Sequence, residues 1–271
     1  METTTPTAGV FTLPSNEYFA SSAVSNSDLK WITPPYTPAH FRAYKLGEME
    51  KLESSALKIG TLIHSCVLEP GSISYEVRPD GIDGRSKEGK AWFASMEGQT
   101  VISAKEEQMV TRMMENVWAH KEARSLIAGS DHEQSLFAPD GDIWTKARID
   151  CLTRSGNVLA DLKTCELSDL ASVEASIFKY GYYRQAAYYL RIANRLGLEK
   201  SAFVFIFVEK TPPYCVATYN LSDEALEMGE VEIEASLSNL KHCYRTGEWP
   251  GREPGINEAS VPNWALLRAA V

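Results

Sequence analysis

Apolar residues along the chain change period several times, and each change marks an element. Leu29, Trp31 and Ile32 sit in a first helix that begins near Ser25 to Ser27. Thr37-Pro38 is a cap followed by proline at the first turn, which predicts a helix over 39–46. Leu57, Ile59, Leu62, Ile63, Cys66 and Val67 recur at three- and four-residue steps, so 55–68 reads as an amphipathic helix stopped by Pro70-Gly71. A short strand is expected over 73–78, a loop over 80–90 and a helix over 87–96. Ser103 to Glu106 is a capping box opening one long helix to Ala128, closed by Gly129. The period then falls to two: 134–138, 143–152 and 157–164 alternate as strands, parted by Asp140-Gly141 and Ser155-Gly156, which predicts a three-strand meander. Helices over 167–177 and 182–196 follow, then an unbroken apolar run at 202–208 that reads as a buried strand. A strand at 214–219 and a long helix over 221–244, capped by Ser222, complete the pattern. The expected organisation is an irregular arm (1–24), one mixed α/β domain (25–247) and an irregular tail (248–271).

The length of 271 residues supports a sizeable core, and a formal charge of −9 means that nucleic acid would be held only through a locally basic groove. No run of 18 apolar residues spans a membrane. The five cysteines are scattered with no Cys-x-x-Cys pair, and the opening residues Met1 to Pro6 have neither a basic start nor an apolar run. A reduced, cytoplasmic protein without a leader is the expectation.

The candidate chemistry lies in the meander. Asp161 and Lys163 are two apart on a strand and project together, while Ala160 and Leu162 point into the core. A hairpin would bring Asp150 beside Asp161, and two close carboxylates repel unless a cation lies between them. Mg²⁺ or Mn²⁺ is the natural occupant, with Lys163 placed to orient a water, take its proton or stabilise phosphorane charge. Alone, Asp-x-Lys is an ordinary solvated strand face; its neighbours change that reading. Tyr182, Gln185 and Tyr189 share one helix face, and Arg184 and Arg191 share another, suited to bases and phosphates. His64 sits beside an apolar stripe one turn after Gly60, which would allow a close approach. Glu133 is a possible further carboxylate.

Together, Gly60-x-x-x-His64, Arg148-Ile149-Asp150, Asp161-Leu162-Lys163 and Tyr182-x-x-Gln185-x-x-x-Tyr189 resemble the PD-(D/E)xK nuclease superfamily in its RecB-like branch. With Ser25 to Leu29, Thr37 to Phe41 and Gly60 to Pro70, the text is similar to RecE-type nuclease domains from about Ser25 to Tyr244. The resemblance implies a restriction-endonuclease-like core, a central mixed sheet flanked by helices, with helical N-terminal additions. It implies a Mg²⁺-dependent 5′-to-3′ exonuclease on duplex DNA ends. His64, Asp150, Asp161 and the Leu162 carbonyl would hold metal, with Glu133 less surely; Lys163 would act on the water, and Gln185 lie near it. The second acid is Asp rather than Glu, which that branch tolerates. Some relatives carry an iron–sulfur cluster on clustered cysteines that this chain lacks, so no cluster is expected. Such enzymes belong to phage or prophage recombination in a bacterial cytoplasm, with a single-strand annealing partner and a ring-shaped homo-oligomer, here expected as a tetramer. The basic groove would draw on Arg42, Arg85, Lys87, Lys90, Arg148, Arg184 and Arg191, with 85–90 as a flexible basic loop. The rival expectations are a structure-selective or single-strand nuclease on the same fold, and an inactive DNA-binding or assembly scaffold.

Overall fold

The computed structural model describes residues 6–49, 55–72 and 74–261, with no side-chain detail at 55–57. The expected strand start at Ile73, the side chain of Leu57, and positions 1–5 and 262–271 of the terminal segments lie outside the described residues. In chain order the elements are β1 (Gly9–Phe11), α1 (Ser15–Ala20), α2 (Asn26–Leu29), α3 (Pro38–Lys45), α4 (Ser55–Leu68), β2 (Tyr75–Arg78), α5 (Lys87–Ser95), β3 (Thr100–Ser103), α6 (Ala104–Ala119), α7 (Lys121–Ala128), β4 (Ser130–Asp140), β5 (Ile143–Thr153), β6 (Val158–Cys165), α8 (Leu170–Tyr180), α9 (Tyr182–Arg195), β7 (Ala202–Glu209), β8 (Val216–Asn220) and α10 (Asp223–Thr246).

Six strands form one sheet in the order β1-β4-β5-β6-β7-β8. All neighbours are antiparallel except β6 and β7, which run parallel and are connected by α8 and α9. The continuous apolar run of β7 has its reason here: Phe203, Phe205 and Phe207 pack on one face, and Ile206 and Val208 on the other. Helices α9 and α10 cover the first face, with Tyr188, Ile192, Ile233 and Leu237. Helices α4, α6 and α7 cover the second, with Leu62, Ile63, Met113 and Ile127. Helices α9 and α10 approach closely at Gly229, where a Cβ would lie 2.7 Å from the Tyr183 carbonyl oxygen.

Three expectations need correction. Residues 9–11 and 15–20 are not an irregular arm: β1 pairs with β4, and the buried ammonium of Lys146 donates to the carbonyls of Tyr18 and Ser21, anchoring the segment after α1. The helix from Ala104 does not run to Ala128. It stops at His120, whose extended ψ of 118° breaks the ladder and whose Nδ1 accepts from the Ala123 N–H to start α7. The stretch 85–90 is not a loop throughout, because Ser86 caps α5 and places Lys87 and Lys90 on its first turns.

Candidate functional site

The meander holds the site because its central strand is distorted there. Ala147 and Ile149 pack on the α9 face, yet Cys151, two residues on, packs on the α4 face. Two such positions on a regular strand share a face, so β5 changes phase at Asp150. The register gives the cause. Pairs between β4 and β5 run from Ser130↔Thr153 to Asp140↔Ile143, and the rung between Glu133 and Asp150 is missing. Glu133 has φ 50°, a left-handed conformation costly for a non-glycine residue.

On the other side of Asp150, the β5–β6 pairing consists of Cys151↔Ala160 and Leu152↔Leu159 and then stops. A side chain replaces the next rung: the Leu162 N–H donates to Asp150 Oδ2 at 2.9 Å. Glu133, Asp150 and Asp161 thus follow one another across three neighbouring strands. The interrupted ladder lets groups from both faces of the sheet meet. From α4, His64 Nδ1 comes within 3.2 Å of Asp150 Oδ2. From α9, Gln185 Nε2 donates to Asp161 Oδ1 at 2.6 Å, with Tyr189 one turn further along the same helix face. Lys163 Nζ lies 2.5 Å from Asp161 Oδ2 and 4.9 Å from the centre of the Tyr182 ring.

Asp161 is 1% exposed and Asp150 8%. Burial, and then the Asp161 charge, push the Asp150 carboxyl well above the usual carboxylate range. Burial pulls His64 down, reinforced by the Lys163 charge. For Lys163 burial acts downward, but Asp161 and Asp150 outweigh it and the net direction is upward, so the side chain stays an ammonium.

A divalent cation fits these residues. The ligand atoms of His64, Glu133 and Asp150 all lie within 4.8 Å of one another. Asp161 Oδ2 is buried and accepts no directed hydrogen bond; the ammonium of Lys163 is near it but out of hydrogen-bonding alignment. A buried carboxylate pair with one lysine facing it is one positive charge short, and hard oxygen donors with one imidazole suit Mg²⁺ or Mn²⁺. Gly60 adds space: a Cβ there would meet only Thr164 Oγ1, at 3.8 Å, so no neighbouring backbone demands glycine.

The structure therefore brings together His64, Glu133, Asp150, Asp161, Leu162, Lys163 and Gln185, with Tyr182 and Tyr189 behind them. It does not bring in all the expected DNA contacts. Arg148 points inward, bonding Glu133 and the Leu13 carbonyl and lying 3.8 Å from Glu69. It anchors the strained Glu133 instead of offering a guanidinium to phosphate. Arg191 is engaged by Asp140, Glu230 and Glu234, and Arg184 by Asn26 and Glu232. Both tie α9 to its neighbours, which removes them from the groove. Arg42, Arg85, Lys87 and Lys90 stand exposed on α3, before α5 and on α5, and none of them contacts the acid cluster among the described residues. Sequence reasoning missed Glu69 and the Leu13 carbonyl, whose roles depend on where Arg148 reaches; the sole signal was an acid at the end of α4.

Residues 25–258 match the family described as a PDDEXK-like domain of unknown function (DUF3799). Among solved structures, a presumptive exonuclease from Eubacterium rectale matches with a TM-score of 0.66 at 14% identity, over 94% of this chain and 98% of that one. That likeness establishes a shared fold. An alkaline exonuclease from Laribacter hongkongensis matches with a TM-score of 0.37 at 13% identity, over 86% of this chain and 98% of that one. Its complex with dAMP gives 0.41 at 12% identity, over 86% and 95%. No curated protein matches the chain.

Proposed function

The chain belongs to the PDDEXK-like domain family, and from that membership together with the site's geometry and the RecE-type motifs we propose that it is a Mg²⁺-dependent nuclease that hydrolyses double-stranded DNA from 5′ ends. The observation that carries this reading is the convergence of His64 from one face of the sheet and Gln185 from the other on two buried, facing carboxylates, Asp150 and Asp161, with a single ammonium beside them. His64, Glu133, Asp150, Asp161 and the Leu162 carbonyl would hold the ion, with Mn²⁺ able to substitute. Once bound, such an ion supplies the Lewis acidity that a phosphodiester and its attacking water need.

The chain's own residues do the remaining work. Gln185 fixes the carboxylate plane of Asp161 through its amide. Lys163, held as an ammonium, donates a hydrogen bond to the attacking water and stabilises the negative charge that grows on the phosphoryl oxygens. Tyr182 covers the Lys163 ammonium with its ring and limits its motion. The strained backbone at Glu133, secured by Arg148, keeps a third carboxylate beside Asp150.

Polarity and duplex preference come from the RecE-type motifs, as do a tetrameric ring, a single-strand annealing partner and a phage-derived cytoplasmic setting. Digestion of linear duplexes labelled at the 5′ or the 3′ end, with circular and single-stranded DNA alongside, tests the reaction. Early release of 5′ label from linear duplex, in Mg²⁺ and not in EDTA, is expected. Equal cutting of circles, or cutting in EDTA, would refute it. Light scattering of the purified chain tests the ring, and pull-down with an annealing protein tests the partner.

A further inference from the structure

A row of aromatic rings leading out of the site ends in a cleft that the reaction above does not use. Gly181 joins α8 to α9 in a left-handed conformation (φ 67°), and this joint sets the rings of Tyr180 and Tyr182 side by side, 5.5 Å apart. Tyr182 is half-buried against Phe205 and Phe207 and carries the Lys163 ammonium over its ring. Tyr180, one step further out, is 58% exposed. Both rings line a cleft of about 660 Å³ that starts at Thr164, the residue after Lys163, and is bounded by the β6–α8 loop and α8.

The chemistry of the walls selects the occupant. Of the two cations there, Lys210 is paired with Glu166 at 2.5 Å and Lys179 lies over the Tyr180 ring at 5.1 Å. That leaves a phosphate the Lys179 ammonium alone, beside the Glu166 carboxylate. What the cleft offers is the exposed ring of Tyr180 and the serines Ser172 and Ser176, which suit a planar, uncharged heterocycle with polar edges. Tyr182 stands between the cleft and the carboxylate cluster, lining the one and carrying the Lys163 ammonium of the other over its ring.

We propose that this cleft is a base-stacking subsite that holds an unpaired nucleobase next to the scissile phosphate, with Tyr180 as its platform. The inference rests on the nuclease reading and deepens it: strand opening at the duplex end would be captured here.

The test uses the full chain in EDTA, so that nothing is cut. The probe is a duplex with two unpaired 5′ nucleotides, one of them 2-aminopurine, compared with the same duplex carrying abasic sites at those positions. The wild type should quench 2-aminopurine and bind the base-containing end about 10-fold more tightly than the abasic one. Tyr180→Ala should lose both effects, and Tyr180→Trp should restore them. Unchanged discrimination in Tyr180→Ala, or none in the wild type, would overturn the subsite. So would a change of oligomeric state in Tyr180→Ala, which would make the cleft a protein contact. Cleavage of blunt duplex in Mg²⁺ is read separately. A wild type that cuts but shows no base discrimination loses the subsite alone; one that cuts nothing loses the nuclease reading.

Discussion

Replacing Asp150 by asparagine should stabilise the metal-free protein while removing its response to metal. The carboxylate is 8% exposed, accepts from one backbone N–H and faces Asp161 on the next strand. Strands lie about 5 Å apart, and two unit charges at that distance repel by about 3 kcal/mol at an effective dielectric of 20. Lys163 offsets part of this, but it sits on Asp161. Asparagine keeps the acceptor for Leu162 and loses the charge, so a net gain of about 1–2 kcal/mol is expected at neutral pH, or about 2–6 °C in Tm. The linkage sign agrees. An acid whose folded pKa is raised destabilises once pH exceeds its unfolded value near 3.9, so the gain should fade as pH falls towards 4. Thermal unfolding in EDTA and in Mg²⁺ reads both effects. The wild type should rise with metal; Asp150→Asn should start higher and not respond. A variant several degrees less stable in EDTA would mean that Asp150 is a structural ion-pair partner of His64, and the argument for a charge-deficient cluster would fail.

Lys163→Ala should lower cleavage by two orders of magnitude or more while leaving Mn²⁺ affinity by calorimetry within a few-fold, since it removes a donor to the reacting groups and not a ligand. Arg191→Ala should cost about 3 kcal/mol of stability in denaturant melts, because it leaves Asp140 and two glutamates of α10 without a shared partner, yet should not alter DNA affinity measured on the folded protein. Burial pushes the Asp140 carboxyl upward, but Arg191 and Lys241 outweigh it and hold it low, so its contribution is complete above the unfolded carboxyl value and lost as pH falls through the folded one. Comparing Asp140→Asn with the wild type at pH 7 and at pH 3 should show the difference shrink. Gly229→Ala should destabilise by about 1–3 kcal/mol, as its methyl would meet the Tyr183 carbonyl and Ala187 Cβ at 2.7 and 2.9 Å; an unchanged melt would contradict the close α9–α10 approach.

Local signals carried most of the fold. The meander was legible because alternation and glycine turns agree, and Ser103 with Glu106 forms the capping box its spacing announces. The end of α4 at Leu68 matched to the residue because Pro70-Gly71 stops the helix. The break at His120 was hidden, since an imidazole is a rare cap and the apolar period continues across it. The edge strand β1 was hidden because three residues carry no period; it exists through its pairing with β4.

In the site, Asp150, Asp161 and Lys163 could be placed together from strand alternation and the hairpin, whereas the place of Gln185 beside them came from the family resemblance. What periodicity cannot supply is the partner of a long side chain. Arg184 and Arg191 looked like a phosphate-facing stripe, but acids on α10 some 40 residues later turn them inward. Arg148 likewise faces Glu133 and not solvent because β5 changes phase beside it.

The central claim is an ion pocket formed where the β4–β5–β6 ladder is interrupted. Anomalous diffraction from a crystal soaked in Mn²⁺ tests it most directly. A peak within coordination distance of both Asp150 and Asp161, with His64 or Glu133 completing the set, is the expected result. A crystal that takes up Mn²⁺ elsewhere, with Lys163 still paired to Asp161 and no ion between the two carboxylates, would contradict it.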